Sequence, residues 1–188
     1  MNLSVNLEEN YTRFKTDFVD CSDFLIRKAK VGNKELFFAA CDGLIDSLQL
    51  SQMVVSPILK SEKVDIVSIK KSITNSVELN EAKTFADCYY YIMSGFAVAV
   101  VDGEDTALAF GIQNLPSRSV DEPTNEQSTK APKEAFVEVL NTNKALLRKR
   151  LKTPHLKLKQ IKLASCAPAP CVIAYMDDRA DNELVSEI

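Results

Sequence analysis

Residues able to do chemistry are sparse in this chain, and each has an ordinary structural use. The one histidine, His155, follows Pro154 at the entrance of a strand-like run, where an imidazole reads as solvent-exposed or structural rather than catalytic. Asp42 and Asp177 each close an apolar run and could form paired carboxylates, yet turn and N-cap duties call for Asp at such places without acid–base work. Asp102, Glu104 and Asp105 crowd Gly103 in a way that invites a cation; a solvated hairpin tip, with glycine supplying positive φ, explains them without one. No Gly-x-Ser-x-Gly, Walker-type or Gly-x-Gly-x-x-Gly pattern occurs, and with five glycines in the chain a phosphate-cradling loop is not expected.

The five cysteines stand at 21, 41, 88, 166 and 171, an odd number without a Cys-x-x-Cys, which favours a reducing compartment. Cys21, Cys41 and Cys88 have apolar neighbours and read as small buried hydrophobes. Cys166 and Cys171 flank Ala-Pro-Ala-Pro, and a tetrahedral zinc there would still lack two ligands. No catalytic residue, metal or cofactor is expected, and the chain does not read as an enzyme.

With 188 residues, 46% of them hydrophobic and 26% charged, the chain can bury a substantial core as one large domain or two small ones. The net charge of −3 is unevenly spread. Ten Lys/Arg against two Glu between Lys130 and Lys162 give that segment +8, leaving −11 elsewhere. The segment lacks interleaved aromatics and follows the acidic "DEPTNEQ", so nucleic acid is not the expected partner; a face for another protein or for anionic lipid accounts for it equally well. Met1 to Lys15 is polar and acidic, so no signal peptide is expected, and the longest apolar run, "GFAVAVV", is strand-sized.

Patterning predicts the elements that must position these residues. A short leading helix covers "NLEENYTRF". "FLIRKAKV" and "ELFFAAC" flank Gly-Asn as a hairpin. A helix opens at Asp46, with Gln49 reaching back, and stops at Pro57. Residues 64–73 read as a strand or linker, Glu78 to Ile92 as a helix, and 96–112 as a strand pair around Asp102-Gly103. Residues 114–132, rich in Pro, Ser and Thr, form a linker. A helix over 133–151 places Phe136, Val139, Leu140, Asn143, Leu146, Leu147 and Leu151 on one face. In "HLKLKQIKL" Leu156 and Leu158 point inward, with Lys157 and Lys159 on a basic outer face; "CVIAYM" is a buried strand and "NELVSEI" a helix that the chain end cuts short.

Laying 24–54 over 156–188 shows a repeat of basic strand, apolar strand, Asp turn, Asp cap and helix, in which Asp42 matches Asp177 and Asp46 matches Asp181. The expected fold is mixed α/β (α+β): two small lobes, each built on a strand-strand-helix unit with mixed sheets. The lobes would be 1–113 and 133–188, the second truncated at its C-terminal end, joined by the 114–132 segment.

Between 116 and 148 the chain resembles the spore germination receptor A subunit (the GerA family). That family shows Pro-Thr/Ser-Arg-Ser-Val-x-Glu-Pro, matched by Arg118, Ser119, Glu122 and Pro123. Its Arg-Gly-Pro-Arg/Lys-Glu-x-Phe is matched by Pro132, Lys133, Glu134 and Phe136, and its Asn-x-Ala-Leu-Leu-Arg by Asn143, Ala145, Leu146, Leu147 and Arg148. "CDGLIDSLQLSQMVVSPIL", "VVDGEDTALAF" and "IAYMDDRADNELV" are similar to further segments of the family, so the likeness runs over about 20–188. Lys130-Ala131 stands where Arg-Gly is usual, Leu115 where Trp is, Asp178-Arg179 where Gly-Ile is, and Asn182 where Pro is; these departures fit a distant member.

The resemblance implies the amino-terminal soluble domain of a membrane-embedded subunit. In that family it works with B and C subunits in the spore inner membrane, here on the cytoplasmic or core side, and nutrients trigger germination. It further implies a non-catalytic signalling and assembly module whose basic 144–162 segment faces neighbouring subunits, further copies of itself or the membrane surface. Candidate contact residues are Arg118, Glu122, Lys133, Glu134, Asn143, Lys144, Arg148 and Lys149. The alternative is a small-molecule domain holding a nutrient germinant between its two lobes.

Overall fold

Strict alternation along the central strands sorts their side chains onto two faces of one sheet. The computed structural model describes residues 1–73, 77–114, 135–163 and 168–187. Strands β1 (Phe24–Val31) and β2 (Lys34–Cys41) form the expected hairpin, with Phe24 opposite Cys41 and Val31 opposite Lys34. Strands β3 (Glu78–Ala82), β4 (Phe96–Val101) and β5 (Ala107–Gly111) complete a five-stranded sheet in the order β1-β2-β4-β5-β3. Its pairings are antiparallel throughout, as is the second sheet of β6 (Leu156–Leu163) with β7 (Ala169–Met176). The expected mixed sheets are therefore corrected: short connections such as those of β1–β2 and β4–β5 allow only antiparallel neighbours. One isolated bridge, Cys21 to Leu158, runs parallel.

Helices cover both faces of the large sheet. On one face, Phe37, Ala39, Cys41, Val98 and Val100 pack against α1 (Leu7–Asp17) and α5 (Phe85–Met93) through Phe14, Phe18, Phe85, Cys88 and Ile92. On the other, Leu36, Phe38, Ala40, Ala97, Ala99 and Phe110 meet Val54, Ile58, Val64 and Ile69. These last four come from a helical run of α2 (Ser47–Gln49), a π-helical turn (Leu50–Val55) and α3 (Ser56–Leu59), and from α4 (Ile66–Ile73) with the loop before it. Burial on both faces explains why β4 is apolar at every position. Phe14 reaches no solvent and meets Phe37 edge-on at 5.3 Å between ring centres; burying such a side chain contributes about 1.5–3 kcal/mol.

Three expectations are corrected by local chemistry and pairing. Residues 66–73 are helix rather than strand: the Asp65 carboxylate accepts the Ser68 N–H at 2.7 Å and opens the first turn. The helix expected over 78–92 begins only after Thr84, which forms a capping box with Asp87, while Glu78–Ala82 pairs with β5 as an edge strand. The helical run from Asp46 continues past Pro57 to Leu59. Its wider π turn hands the Ser56 N–H to the Ser51 carbonyl just before the proline.

The two hairpins share a closing bond. The Asp42 N–H donates to the Asp23 carbonyl at 2.7 Å, and the Asp177 N–H to the His155 carbonyl at 3.0 Å, each across the open end of its hairpin. Asp46 then caps α2 through the N–H groups of Leu48 and Gln49, as Asp181 accepts the Glu183 N–H before α7 (Asn182–Glu187).

Candidate functional site

The basic second half of the sequence meets the end of the first helix at a joint centred on one buried ion pair. Asp17, Asp20 and Asp23 follow one another at three-residue spacing around the end of α1, and α6 (Leu140–Arg150) with β6 brings the basic segment onto them. Arg148 forks onto Asp23 with Nε and Nη2 each 2.9 Å from a different carboxylate oxygen. Its Nη1 donates to the carbonyls of Thr153 (2.9 Å) and Leu156 (3.0 Å), so the guanidinium also ties α6 to the start of β6. Neither side chain of the pair reaches solvent.

Beside this pair, Lys157 donates to the Asp17 carbonyl at 2.8 Å and lies 3.1 Å from the Asp177 carboxylate. The Leu158 N–H donates to the Asp20 carbonyl (3.0 Å), the Leu158 carbonyl accepts the Ser22 N–H (3.1 Å), and the Tyr175 hydroxyl donates to the Asp20 carboxylate (3.2 Å). Asp20 is held at φ +58, the left-handed region, which asparagine and aspartate tolerate best among side-chain-bearing residues. Gly43 completes the joint from below. At φ +80 its backbone passes so close to α6 that a Cβ would lie 3.3 Å from both the Ala145 Cβ and the Asn141 carbonyl.

The electrostatics of the joint favour fixed charges over reactive ones. Burial works against the Arg148 charge, but the hydrogen bonds and negative charge of Asp23 outweigh it and raise the guanidinium pKa above its ordinary value. Burial pushes the neighbouring Cys21 thiol up and the Cys41 thiol well up, which disfavours the thiolate needed for nucleophilic or redox chemistry. Asp177 is lowered: its partial burial opposes ionisation, and hydrogen bonds from His155 and Lys157 overcome that.

His155, Asp177 and Asp178 place ligand atoms within 4.8 Å of one another, the one described group with the composition of a metal site. Two cations already serve it: Lys157 sits on Asp177, and Arg179 lies 3.9 Å from Asp178. The arrangement works as an ion-pair cluster at the base of the second hairpin. Asp42, the other half of the carboxylate pair considered from sequence, accepts the N–H of its neighbour Gly43 at 3.0 Å in an ordinary turn.

The predicted contact residues divide sharply. Arg118, Glu122, Lys133 and Glu134 lie outside the described residues, as does the linker from 115 onward. Arg148 is corrected from a surface contact to a buried structural pair, because Asp23 and two carbonyls consume its donors. Lys144 is buried on the same helix face, and Lys149 is half-buried beside it. The Asn143 carboxamide accepts the Val137 N–H (2.8 Å) and donates to the Val137 carbonyl (2.6 Å), folding the preceding chain back.

The α6 helix consequently starts at Leu140 rather than 133. Its buried face is Lys144, Ala145 and Arg148 with Leu146, while Phe136, Val139 and Leu151 stay exposed. Lys157 is likewise corrected, from the outer face of β6 to a buried position between Asp17 and Asp177. Sequence reasoning missed Asp17, Asp20 and Asp23. Their regular spacing in a protein with an excess of acid outside one basic segment was the available signal.

No described helix is long and apolar enough to cross a membrane. The model of the Bacillus/Clostridium GerA spore germination protein family matches residues 12–188, in agreement with the resemblance carried by the 116–148 motifs. Spore germination protein KA of Bacillus subtilis (strain 168) is 25% identical over 99% of this chain and 36% of its own length. Spore germination protein B1 of the same organism is 28% identical over 100% of this chain and 40% of its own. The chain thus spans about two fifths of the length of these curated relatives. The crystal structure of the N-terminal domain of the A subunit of the Bacillus megaterium spore germinant receptor GerK3 has a similar fold. It superposes with a TM-score of 0.76 at 25% identity, covering 100% of this chain and 71% of that one. On the family match and this shared mixed α/β fold together, the chain belongs to the GerA spore germination protein family.

Proposed function

We propose that this chain acts in spore germination as the N-terminal domain of a germinant receptor A subunit, serving as a non-catalytic module for signalling and subunit assembly. The observation that carries this reading is the whole-chain likeness to the N-terminal domain of the GerK3 A subunit. The joint supports a mechanical rather than chemical role. Asp23 and Arg148 are paired there, burial raises the pKa of its thiols, and the Asp23–Arg148 link ties the two hairpin units to one another. Contacts with B and C subunits, or with further copies, then fall to cations the joint leaves outside, such as Lys159 and Lys162 on the outer half of β6.

Co-purification from cells expressing the complete receptor tests this. The chain within its full-length subunit is expected to co-elute with the B and C subunits, and charge reversal at Lys159 and Lys162 is expected to weaken that association. Unchanged co-elution of the charge-reversed protein would remove β6 from the interface, and failure of the wild-type subunit to associate would overturn the assembly reading. A sugar, nucleoside or amino acid that protects the 20–23 and 155–158 amides from exchange would instead carry the alternative of a germinant held between the two units.

A further inference from the structure

The first hairpin carries an apolar groove that the joint does not use. It lies between the solvent edge of the large sheet and the helical run 47–59, encloses about 270 Å³, and is walled by Leu25, Ala29, Phe38, Leu50, Val55 and Leu59. Alternation puts Leu25, Arg27 and Ala29 of β1 on this face, while Lys28 turns to the other and pairs with Glu8. Leu25 and Leu59 remain 37% and 45% exposed at the rim, so apolar surface that could be buried is left open to water.

Two features mark the groove as built for a ligand rather than imperfectly packed. Its helical wall is the π turn Leu50–Val55, a local widening of a kind that recurs at functional sites. Its one lining charge without a partner is Arg27, which makes no ion pair or hydrogen bond among the described residues, whereas the neighbouring Lys28 and Lys30 are paired with Glu8 and Glu35. No acidic side chain lines the groove.

We infer that this groove binds a small aliphatic carboxylate, its tail against Leu25, Phe38, Leu50 and Val55 and its carboxylate on the Arg27 guanidinium. An apolar cavity of about 150 Å³ accepts a six-carbon ring, so this volume suits roughly six to ten heavy atoms. Guanidinium is the side chain best matched to a carboxylate, through two parallel N–H donors. An ammonium group would find no counter-charge. The inference stands apart from the assembly reading, since none of the residues lining the groove belongs to 20–23 or 155–158.

Hexanoate is the probe, with hexanol and hexylamine as matched controls, and amide chemical shifts as the readout on this chain. Hexanoate is expected to perturb the amides of residues 25–29 and 50–55, more strongly than hexanol and far more than hexylamine. Arg27→Gln, an exposed edge position, is expected to weaken hexanoate at least about tenfold while leaving hexanol unchanged, since the paired charge-assisted donors to the carboxylate are lost. Ala29→Leu is expected to abolish binding of both by filling the groove. Equal binding of hexylamine, perturbations confined to other residues, or an Arg27→Gln protein that binds hexanoate as tightly as wild type would each overturn the assignment. Failure of co-elution with receptor subunits would leave it untouched.

Discussion

Arg148 and Asp23 lie 125 positions apart in the chain and meet through two parallel hydrogen bonds of 2.9 Å, with no solvent reaching either side chain. Of the acidic run Asp17, Asp20, Asp23, it is Asp23 that pairs with a basic side chain of the second segment. Lys157 reaches the Asp17 carbonyl, while the Asp17 carboxylate is held by Arg13 and Tyr89 and that of Asp20 by Tyr175. A buried pair of this kind contributes little net stability over an apolar substitute, because desolvation offsets the attraction; it fixes which surfaces meet.

Removing one member of that pair is expected to be far worse than removing both. Asp23→Ala should cost about 3–5 kcal/mol, because it strands a guanidinium in the core. Arg148→Met should cost a similar amount, since it frees the Asp23 carboxylate and the Thr153 and Leu156 carbonyls together. Urea unfolding of Asp23→Leu, Arg148→Met and their double mutant should show the double costing less than either single, which requires a coupling of more than about 3 kcal/mol. Additive losses would mean that the two residues act independently.

Gly43→Ala is expected to destabilise by about 1–2 kcal/mol, since φ +80 is unfavourable for a side chain and the added Cβ presses on Ala145 and the Asn141 carbonyl. Thermal unfolding checks the magnitude. Hydrogen exchange checks the place, because α6 amides should lose protection before those of β4. Uniform loss across the molecule would separate Gly43 from the seating of α6.

Much of this architecture was legible because local chemistry and tertiary packing agree. The β1–β2 hairpin, the β4–β5 pair, the β6–β7 pair and the caps at Asp46 and Asp181 all follow from period-two alternation and turn residues. Where they disagree, reading failed. Glu78–Ala82 is written in helix-forming residues, yet the open edge of β5 recruits it as a strand. Residues 66–73 are rich in β-branched side chains, yet the Asp65 cap and burial of Ile69 against the sheet make them helical. The joint was the least legible part. Arg148 stands in a run with Lys149, Arg150 and Lys152 that looks wholly solvated, and only the fold reveals that one of the four turns inward to Asp23.

The Asp177 cluster predicts a pH dependence with a definite sign. The folded protein holds this carboxyl below its ordinary 3.8, so its contribution to stability is present above that value and is lost as pH falls through the lower folded value. The wild-type protein should therefore lose stability more steeply below about pH 4 than Asp177→Asn, whose curve starts lower at neutral pH because Lys157 and His155 have lost their negatively charged partner. Denaturant midpoints from pH 2 to 7 give the comparison. Parallel curves would show that the cluster does not couple to folding.

Asn143 separates a structural role from a contact role within the motif shared with the family. Its carboxamide spans the Val137 N–H and carbonyl, the geometry of a clasp on the chain entering α6. If that is its function, Asn143→Ala should cost about 1–3 kcal/mol and open residues 135–139 to limited proteolysis, while α6 itself keeps its helical signal. Asn143→Asp keeps the acceptor for the Val137 N–H but sets a carboxylate oxygen against the Val137 carbonyl, so it should open the clasp at least as much as Ala in both measurements. A contact residue behaves in the opposite way. Asn143→Ala would then leave stability and cleavage unchanged and reduce co-elution with the receptor subunits, and that pattern would return Asn143 to the interface.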